Sequence, residues 1–258
     1  SAEVAARRVQ DLRPGKGIDS HSVVTRLFGL SSKILGDDLQ NTRFTQYGAN
    51  LKQFLNLTEK DTLSFEYING TQRGVQRYDQ LDGGLGNLIS GFDPQILDFF
   101  TARYDRAKFG FLDTVSMTFS FNGQRDDRTS QSINNNSTGL RSKITDEYNR
   151  ANVFGYQAQA TTVLGSRNTL TFGAEFYDEK IISERTDLAF SPATNDFSRA
   201  TSVRARFPNN SVYQSVGIFA QDIFTFIPER LIGSFGIRYS NFYYKQTSSD
   251  NPLDAQGR

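Results

Sequence analysis

The sequence feature that most constrains the fold is a two-residue alternation of apolar and polar side chains. Between Thr114 and Asn122, every even position holds Thr, Ser or Asn, and the odd positions hold Val115, Met117, Phe119 and Phe121. Successive side chains of a β-strand point to opposite faces, whereas a helix would spread the two sets around its circumference. The segment is therefore predicted to be a strand with one apolar and one polar face. The same alternation recurs in residues 62–67, 154–161, 169–176, 216–226 and 231–240.

These patterns, with some weaker ones, predict an all-β chain. The predicted strands are Ser22–Phe28, Arg43–Asn56, Thr62–Gly70, Phe99–Lys108, Thr114–Arg125, Ile144–Leu164, Thr169–Glu184, Val212–Phe226 and Leu231–Gln246, with Ala5–Leu12 as a candidate tenth. Most of them match or exceed the ~9–11 residues that a transmembrane strand needs.

The connections between these strands come in two sizes. Short turns are predicted at residues 58–61, 110–113, 165–168 and 228–230, and long polar stretches at residues 72–94, 126–140 and 188–210. Soluble β-sandwiches usually have short connections at both ends. Outer-membrane barrels combine short periplasmic turns with longer extracellular loops, an apolar outer face and a polar interior. The asymmetry favours an antiparallel transmembrane β-barrel; a soluble β-domain with its aromatic residues in a core is the alternative.

Composition narrows the range of functions. Lys and Arg number 29 against 28 Asp and Glu, so the chain lacks the basic excess of a typical nucleic-acid-binding protein. Cysteine is absent, which excludes disulfides and thiolate metal sites. No apolar run approaches the ~20 residues that a transmembrane helix needs. Aromatic residues make up 13% of the chain, in keeping with the aromatic girdles of outer-membrane barrels.

Two neighbouring segments resemble a known family of barrels. Ser215–Asp222 contains GIFAQD and is followed, after a short turn, by Gly233–Tyr239, which contains GIRY. Together with Leu170–Phe176, which reads LTFGAEF, they resemble barrel strands of TonB-dependent outer-membrane receptors. The resemblance extends over about positions 19 to 247, and Arg77–Leu81 is similar to segments of the subgroup that takes up haem and iron.

The resemblance implies a place in the bacterial outer membrane and a barrel of about 22 strands that surrounds a plug domain. We find no plug-like segment in residues 1–258, and the open set of predicted strands would leave unpaired edges in lipid. The chain is therefore expected to form part of a larger barrel, with a complete small barrel as the alternative. The implied partners are outer-membrane lipid, the rest of the barrel, the plug domain and, through the plug, the TonB complex.

The resemblance further implies transport of a scarce nutrient, with an iron source such as haem or a siderophore as the expected substrate. A structural or accessory barrel subunit without transport activity is the alternative. Enzymatic activity is not expected, since the chain has a single histidine, His21, and no paired carboxylates that suggest a catalytic dyad. His21 can ligate haem iron or a metal, but polar packing is the favoured interpretation. We predict neither a metal site nor a cofactor.

The candidate ligand-binding residues lie in one of the long polar stretches. Arg73, Arg77, Tyr78 and Asp79 group two guanidinium groups with a phenol and a carboxylate. Such a cluster can bind an anionic ligand or a protein partner through bidentate Arg contacts. The alternative is a solvated loop over the mouth of the barrel.

Other charged residues receive structural interpretations. Asp126 and Asp127 offer oxygen ligands for Ca²⁺, but they lack the spacing of an EF-hand, which favours surface acidity. On the polar strand faces, Glu66, Glu175 and Arg238 are expected to contact a plug or to line a wet barrel interior.

Overall fold

The computed structural model describes residues 1–13, 38–81, 87–132 and 143–247, without the side chains of residues 199–202. These residues form the strands β1 (Ala2–Val9), β2 (Phe44–Asn56), β3 (Asp61–Arg73), β4 (Val75–Gln76), β5 (Ile89–Phe109), β6 (Leu112–Gln131), β7 (Ile144–Leu164), β8 (Asn168–Ser191), β9 (Asp196–Val203), β10 (Ser211–Ile227) and β11 (Leu231–Lys245). None of the described segments is a helix of the length and apolarity needed to cross a membrane. The predicted strand Ser22–Phe28 and His21 lie outside the described residues.

The strands form one antiparallel sheet that largely follows the order of the chain. The sheet order is β1-β2-β3-β5-β6-β7-β8-β10-β11, while β4 pairs with β5 and β9 pairs with β8. Such a meander is the natural result of short turns, which can join only antiparallel neighbours. Within the described residues, β1 and β11 each have a partner on one side only. The predicted all-β antiparallel fold is confirmed, and the described strands form an open sheet, as expected for part of a larger barrel.

Tight turns define one end of the sheet. All the predicted short turns are present, and every strand end that adjoins them lies within two residues of its predicted position. Gly110 and Gly165 adopt φ values of +61° and +66° in two of these turns. Glycine has no Cβ and therefore accepts this left-handed conformation without a steric penalty.

At the opposite end, the strands continue farther than the sequence analysis predicts. β5 begins at Ile89, β6 extends to Gln131 and β8 extends to Ser191, while β4 and β9 lie within stretches predicted as loops. The loops predicted at residues 72–94, 126–140 and 188–210 are therefore too long. The reason is that alternation marks a strand only where one face is apolar. In these stretches polar side chains occur on both faces and the apolar ones do not alternate, although the backbone ladder continues.

Register collects the apolar side chains of neighbouring strands on one side of the sheet, called here the apolar face. Met117 of β6, for example, is paired with Tyr104 of β5 and with Ala158 of β7. Ring contacts continue across β3, β5, β6, β7 and β8, with successive centroid distances of 6.4, 6.2, 5.3 and 6.3 Å between Phe65, Phe100, Phe119, Tyr156 and Phe176. The alternate side chains form the opposite, polar face.

Burial in this sheet is the inverse of that in a soluble domain. Large apolar side chains are exposed, for example Phe235 at 64% and Ile237 at 76%. The most deeply buried of the described side chains are Ser90, Ser183 and Ser211, which are 2%, 1% and 1% exposed. Leaving apolar area in water costs ~25 cal/mol per Å². The apolar face therefore requires apolar surroundings, as predicted for strands that meet lipid.

Candidate functional site

The polar face carries ion pairs that cross strands. Arg238 of β11 extends over Gly217 of β10 to form an ion pair with Glu175 of β8. A Cβ atom on Gly217 would lie 2.6 Å from Nη2 of Arg238, so a side chain there would have to displace the guanidinium group. On β3, Glu66 lies 3.5 Å from Lys52 of β2. Glu66, Glu175 and Arg238 thus have oppositely charged partners on this face, and their contact with a plug stays a prediction.

A row of polar side chains crosses the same face near the end opposite the short turns. Register pairs each member of this rim row with the next one: Arg7, Gln46, Gln72, Gln95, Asp126, Asn149 and Ser183. Arg7 donates from Nε and Nη2 to Oε1 of Gln46 at 3.1 and 2.8 Å. Ser183 donates to Oδ1 of Asn149 at 2.6 Å. Amide and carboxylate groups in such a row can hydrogen-bond a polar ligand or a protein segment.

Asp126 is the acidic member of the rim row. Its Oδ1 atom is buried and has no hydrogen-bond partner among the described residues. Burial raises the pKa of Asp126 above its ordinary value, although a hydrogen bond with Gln95 and the charge of Arg206 act in the opposite direction. The residue lines two cavities of about 470 and 300 Å³ on the polar face. Asp126 therefore has an unsatisfied acceptor atom beneath the wall of two cavities.

A buried charge cluster lies farther along β7 and β8. Asp187 is 6% exposed and accepts hydrogen bonds from Lys143, from Thr145 at 2.9 Å and from Nε of Arg185 at 3.1 Å. Burial acts to raise its pKa, but these donors outweigh burial, so the pKa of Asp187 lies below its ordinary value. Glu147 lies 4.0 Å from Arg185, and burial raises its pKa. The two carboxylates share one arginine, yet their pKa values shift in opposite directions.

The predicted ligand-binding residues occupy two different positions. Arg73 ends β3 and lies 3.5 Å from Asp93. Arg77 lies beyond β4, where its Nε and Nη2 atoms donate to the two carboxylate oxygens of Asp79 at 3.1 and 2.7 Å. Tyr78 lies between them in the same turn. Since both arginines have acidic partners, an anionic ligand would have to compete with Asp93 and Asp79, and the binding role of these residues stays a prediction.

A cavity of about 360 Å³ lies beside this turn. Its lining includes Gln76, Leu81, Ser90 and Phe92. Ser90 donates to Oε1 of Gln80 at 2.7 Å, and Leu81 is 5% exposed. The C-terminal part of the turn is therefore packed against the start of β5, and the cavity has both polar and apolar walls.

Asp126 and Asp127 do not form a common cation site. Adjacent strand residues point to opposite faces, and Asp127 forms a bidentate ion pair with Arg125 on the apolar side of the sheet. The carboxylates cannot converge on one Ca²⁺, which agrees with the structural interpretation of this pair.

Sequence reasoning identified neither the rim row nor the Asp187 cluster. Gln46, Gln72 and Gln95 lie more than twenty residues apart in the chain and meet only through strand register. The available signal was weak: each of them occupies a polar-face position of its strand.

Comparison with known proteins identifies the architecture. A family model described as "TonB dependent receptor-like, beta-barrel" matches residues 29–257. The chain belongs to this family. Among solved structures, "Copper transporter OprC" superposes with a TM-score of 0.59 at 13% sequence identity, a likeness that concerns the fold alone. The match covers 79% of this chain and 29% of OprC, so the chain spans less than a third of that protein. No curated protein sequence matches the chain.

Membership of the TonB-dependent receptor family orients the sheet in the bacterial outer membrane. In such barrels the short turns lie in the periplasm and the apolar face meets lipid. The polar face lines the barrel interior. The rim row and the Asp187 cluster consequently lie toward the extracellular end.

Proposed function

We propose that this chain forms part of an outer-membrane receptor that takes up a scarce nutrient with energy from the TonB complex. In this proposal a plug domain contacts the polar face and connects the barrel to TonB, while outer-membrane lipid and further strands complete the surroundings. No enzymatic step is required. The observation that carries the proposal is the two-faced sheet, whose apolar face suits lipid while its rim row offers hydrogen bonds to a solute or to the plug.

We propose an iron source, such as haem or a siderophore, as the substrate. The support is the similarity of Arg77–Leu81 to the haem and iron subgroup. OprC is described as a copper transporter, which makes copper the competing substrate. The proposed extracellular contact consists of Arg73, Arg77, Tyr78 and Asp79 beside the cavity of about 360 Å³.

Uptake by the full-length protein tests the proposal. A deletion strain that receives haemin or a ferric siderophore as its sole iron source should accumulate iron only when the protein is expressed and TonB is intact. Copper accumulation is measured in parallel. If only copper accumulation depended on the protein, copper would replace iron as the proposed substrate. Normal membrane levels without any TonB-dependent uptake would contradict transport and favour the accessory barrel.

Paired variants test the extracellular contact. The double variant R77A/Y78A should reduce accumulation of the substrate at limiting concentration while leaving the protein at its normal level in the membrane. The control is R167A, which removes an exposed arginine from the short periplasmic turn between β7 and β8. Equal uptake by both variants would remove these residues from the binding site without affecting the proposal of transport.

A further inference from the structure

The connection between β9 and β10 folds back over the polar face of the sheet. We call residues 204–210 the inner loop. In this loop, Oδ1 of Asn209 accepts a hydrogen bond from the backbone N–H of Ser183 in β8 at 3.0 Å. The charge of Arg206 acts on Asp126 of β6, which lies two strands farther along the sheet. The inner loop therefore lies over β7, on the side of the sheet that lines the barrel interior.

Phe207 of the inner loop faces the sheet across the cavity of about 300 Å³. The wall opposite the ring is a row of register partners directly beside the rim row: Gln124, Ala151 and Ile181. Asp126 and Asn149 of the rim row line one end of the cavity, and Glu179 lines the other. Phe207 is 46% exposed, so part of its ring is free to contact a ligand. The cavity thus has an aromatic side, a largely aliphatic side and polar ends.

The cavity of about 470 Å³ continues the same row of register partners toward β3. Gln124 and Asp126 border both cavities, and Leu97 and Gly70 extend the row on the far side. A Cβ atom on Gly70 would meet nothing within 4 Å, so the space above its backbone is open. The extracellular side of this cavity is lined by side-chain amides of the rim row: Gln46, Gln72 and Gln95. We call the two cavities the twin recess, and each has a volume typical of a small-molecule site.

The described side chains that project into the twin recess include two acidic groups and no cation. The acidic groups belong to Asp126 and to Glu179, which forms no ion pair with any residue that the structure describes. Arg125 and Arg150 border the cavities, but their guanidinium groups lie over a tyrosine ring on the apolar face. Arg206 acts on Asp126 from outside the lining. An anionic group in the twin recess would therefore meet like charge without a cation to receive it.

We propose that the twin recess binds the organic part of the transported substrate, and that this part is an uncharged iron chelate with amide and hydroxamate groups. The proposal rests on the proposed function in iron uptake. Apolar parts of such a chelate contact Phe207, Ile181 and Leu97, while its polar groups hydrogen-bond to the amides of the rim row, which both donate and accept. The carboxylates of haem and the negative charge of a ferric catecholate would be repelled by Asp126 and Glu179. The twin recess therefore favours a neutral siderophore over haem.

Equilibrium binding to the purified full-length protein tests this proposal. The probes are a ferric trihydroxamate, a ferric tris-catecholate and haemin, each titrated onto the protein in detergent and followed by isothermal titration calorimetry. The test variants are F207A, which removes the aromatic side of the recess, and G70L, which places a side chain in the open space of the second cavity. The matched control is F111A, since Phe111 is 80% exposed in the short turn at the opposite end of the sheet.

We expect F207A and G70L each to bind the ferric trihydroxamate about tenfold more weakly than the wild type, because one loses apolar contact and the other loses space. F111A should bind it as the wild type does. The wild type should bind haemin and the ferric catecholate at least about tenfold more weakly than the trihydroxamate. Equal trihydroxamate affinities of the wild type, F207A and G70L would overturn the proposal. Tighter binding of haemin or of the catecholate by the wild type would overturn it as well.

A further variant tests the exclusion of anions. E179Q removes one acidic group, so it should raise the affinity for the ferric catecholate relative to that for the trihydroxamate. An unchanged ratio of the two affinities would contradict exclusion by charge. Folding of each variant is checked by its resistance to unfolding in cold SDS, and if F207A fails this check, G70L decides whether the recess binds the probe.

Iron accumulation in cells separates this proposal from the proposed function. TonB-dependent accumulation of iron that is equal in the wild type, F207A and G70L, together with equal binding, would overturn the twin recess alone. Absence of any TonB-dependent accumulation would contradict the proposed function itself. Reduced accumulation in F207A and G70L but not in F111A, with all proteins at equal levels in the membrane, would support both.

Discussion

The part of the sheet between the short turns and the rim row, called here the band, and the part beyond the rim row, called the extension, use the same strands but opposite side-chain chemistry. In the band, the rings of Tyr156 and Phe176 stack on the exposed apolar face. In the extension, Thr145 and Asp187 are buried and hydrogen-bonded to each other at 2.9 Å. The ladder between β7 and β8 nevertheless runs without a register shift through all of Ile144–Leu164.

This contrast shows that backbone pairing forms the strands, whereas the surroundings select the side chains. The band is stabilised by keeping its apolar face out of water. The extension is stabilised by partners for its buried polar groups. A charge should therefore be costly on the outer side of the band and should stabilise the extension.

The largest effect is expected from adjacent residues on opposite faces of the band. Met117 is 55% exposed on the apolar face, and Thr118 projects from the polar face. In lipid vesicles, M117R should lower the free energy of unfolding of the full-length protein by about 2–4 kcal/mol, and T118R by less than about 1 kcal/mol. Denaturant unfolding measures both variants. Equal losses would mean that the two faces do not differ in their surroundings.

In the extension, removal of a charge should be the costly change. D187A leaves Lys143, Thr145 and Arg185 without a shared acceptor, so we expect a loss of about 1–3 kcal/mol in local stability. Amide hydrogen exchange in the extracellular parts of β7 and β8 measures this loss. The control is E184A, because Glu184 is exposed on the other face of β8. The same protection in D187A and E184A would contradict a stabilising role for the cluster.

The band was predictable from sequence to a degree that the extension was not. The end of β7 at Leu164 and the start of β11 at Leu231 agree with prediction, because one apolar face makes the period visible up to the turn. By contrast, β5 begins at Ile89 rather than at Phe99. Its first residues include Ile89, Phe92, Ile96 and Leu97, which do not alternate with polar residues, and a register shift between Phe92 and Gln95 interrupts the ladder. The two-residue period that reveals a strand is therefore missing.

The candidate site was predictable only in its residue types. Arg77 and Asp79 were predicted as ligand-binding residues, but the sequence pattern does not reveal whether they pair with each other or bind a ligand. Asp126 gains its significance from burial and from its register neighbours Gln95 and Asn149. Both properties arise from strands that lie far apart in the chain.

Two glycines allow the packing between strands in the band to be compared with the packing near the rim row. A Cβ atom on Gly173 in the band would lie 2.5 Å from the carbonyl oxygen of Ala158 and 2.7 Å from Cζ of Phe219, whereas one on Gly70 near the rim would meet nothing within 4 Å. G173A should therefore cost about 1–3 kcal/mol. G70A should change stability by no more than about 0.5 kcal/mol. Denaturant unfolding of the two variants is the measurement, and equal stabilities would show that packing does not limit strand spacing in the band.

The smallest effect concerns the pH dependence of the extension. Burial raises the pKa of Glu147. Its contribution to the stability of the extension is therefore fully present below the ordinary Glu pKa of about 4.3, and it is lost as pH rises through the higher folded pKa. The pKa of Asp187 is lowered, so its contribution is present above about pH 3.9 and is lost as pH falls through the folded pKa. E147Q should therefore stabilise the extension at neutral pH, and it should reduce the loss of stability that the wild type shows as pH rises above about 4.

Amide hydrogen exchange of β7 and β8 at several pH values tests this prediction. The D187N variant serves as the counterpart, since it should flatten only the acid side of the profile. A decline above about pH 4 that is as steep in E147Q as in the wild type would exclude Glu147 as its source.

The most direct test of the account is a cysteine scan of β6. The chain contains no cysteine, so a single spin label can be attached in turn at each position from Val115 to Asn122. In vesicles, we expect a two-residue period: labels at odd positions should be accessible to lipid-soluble oxygen, and labels at even positions should not. Odd positions that are shielded from both oxygen and a water-soluble nickel chelate would indicate a dry protein core and would contradict a lipid-facing strand.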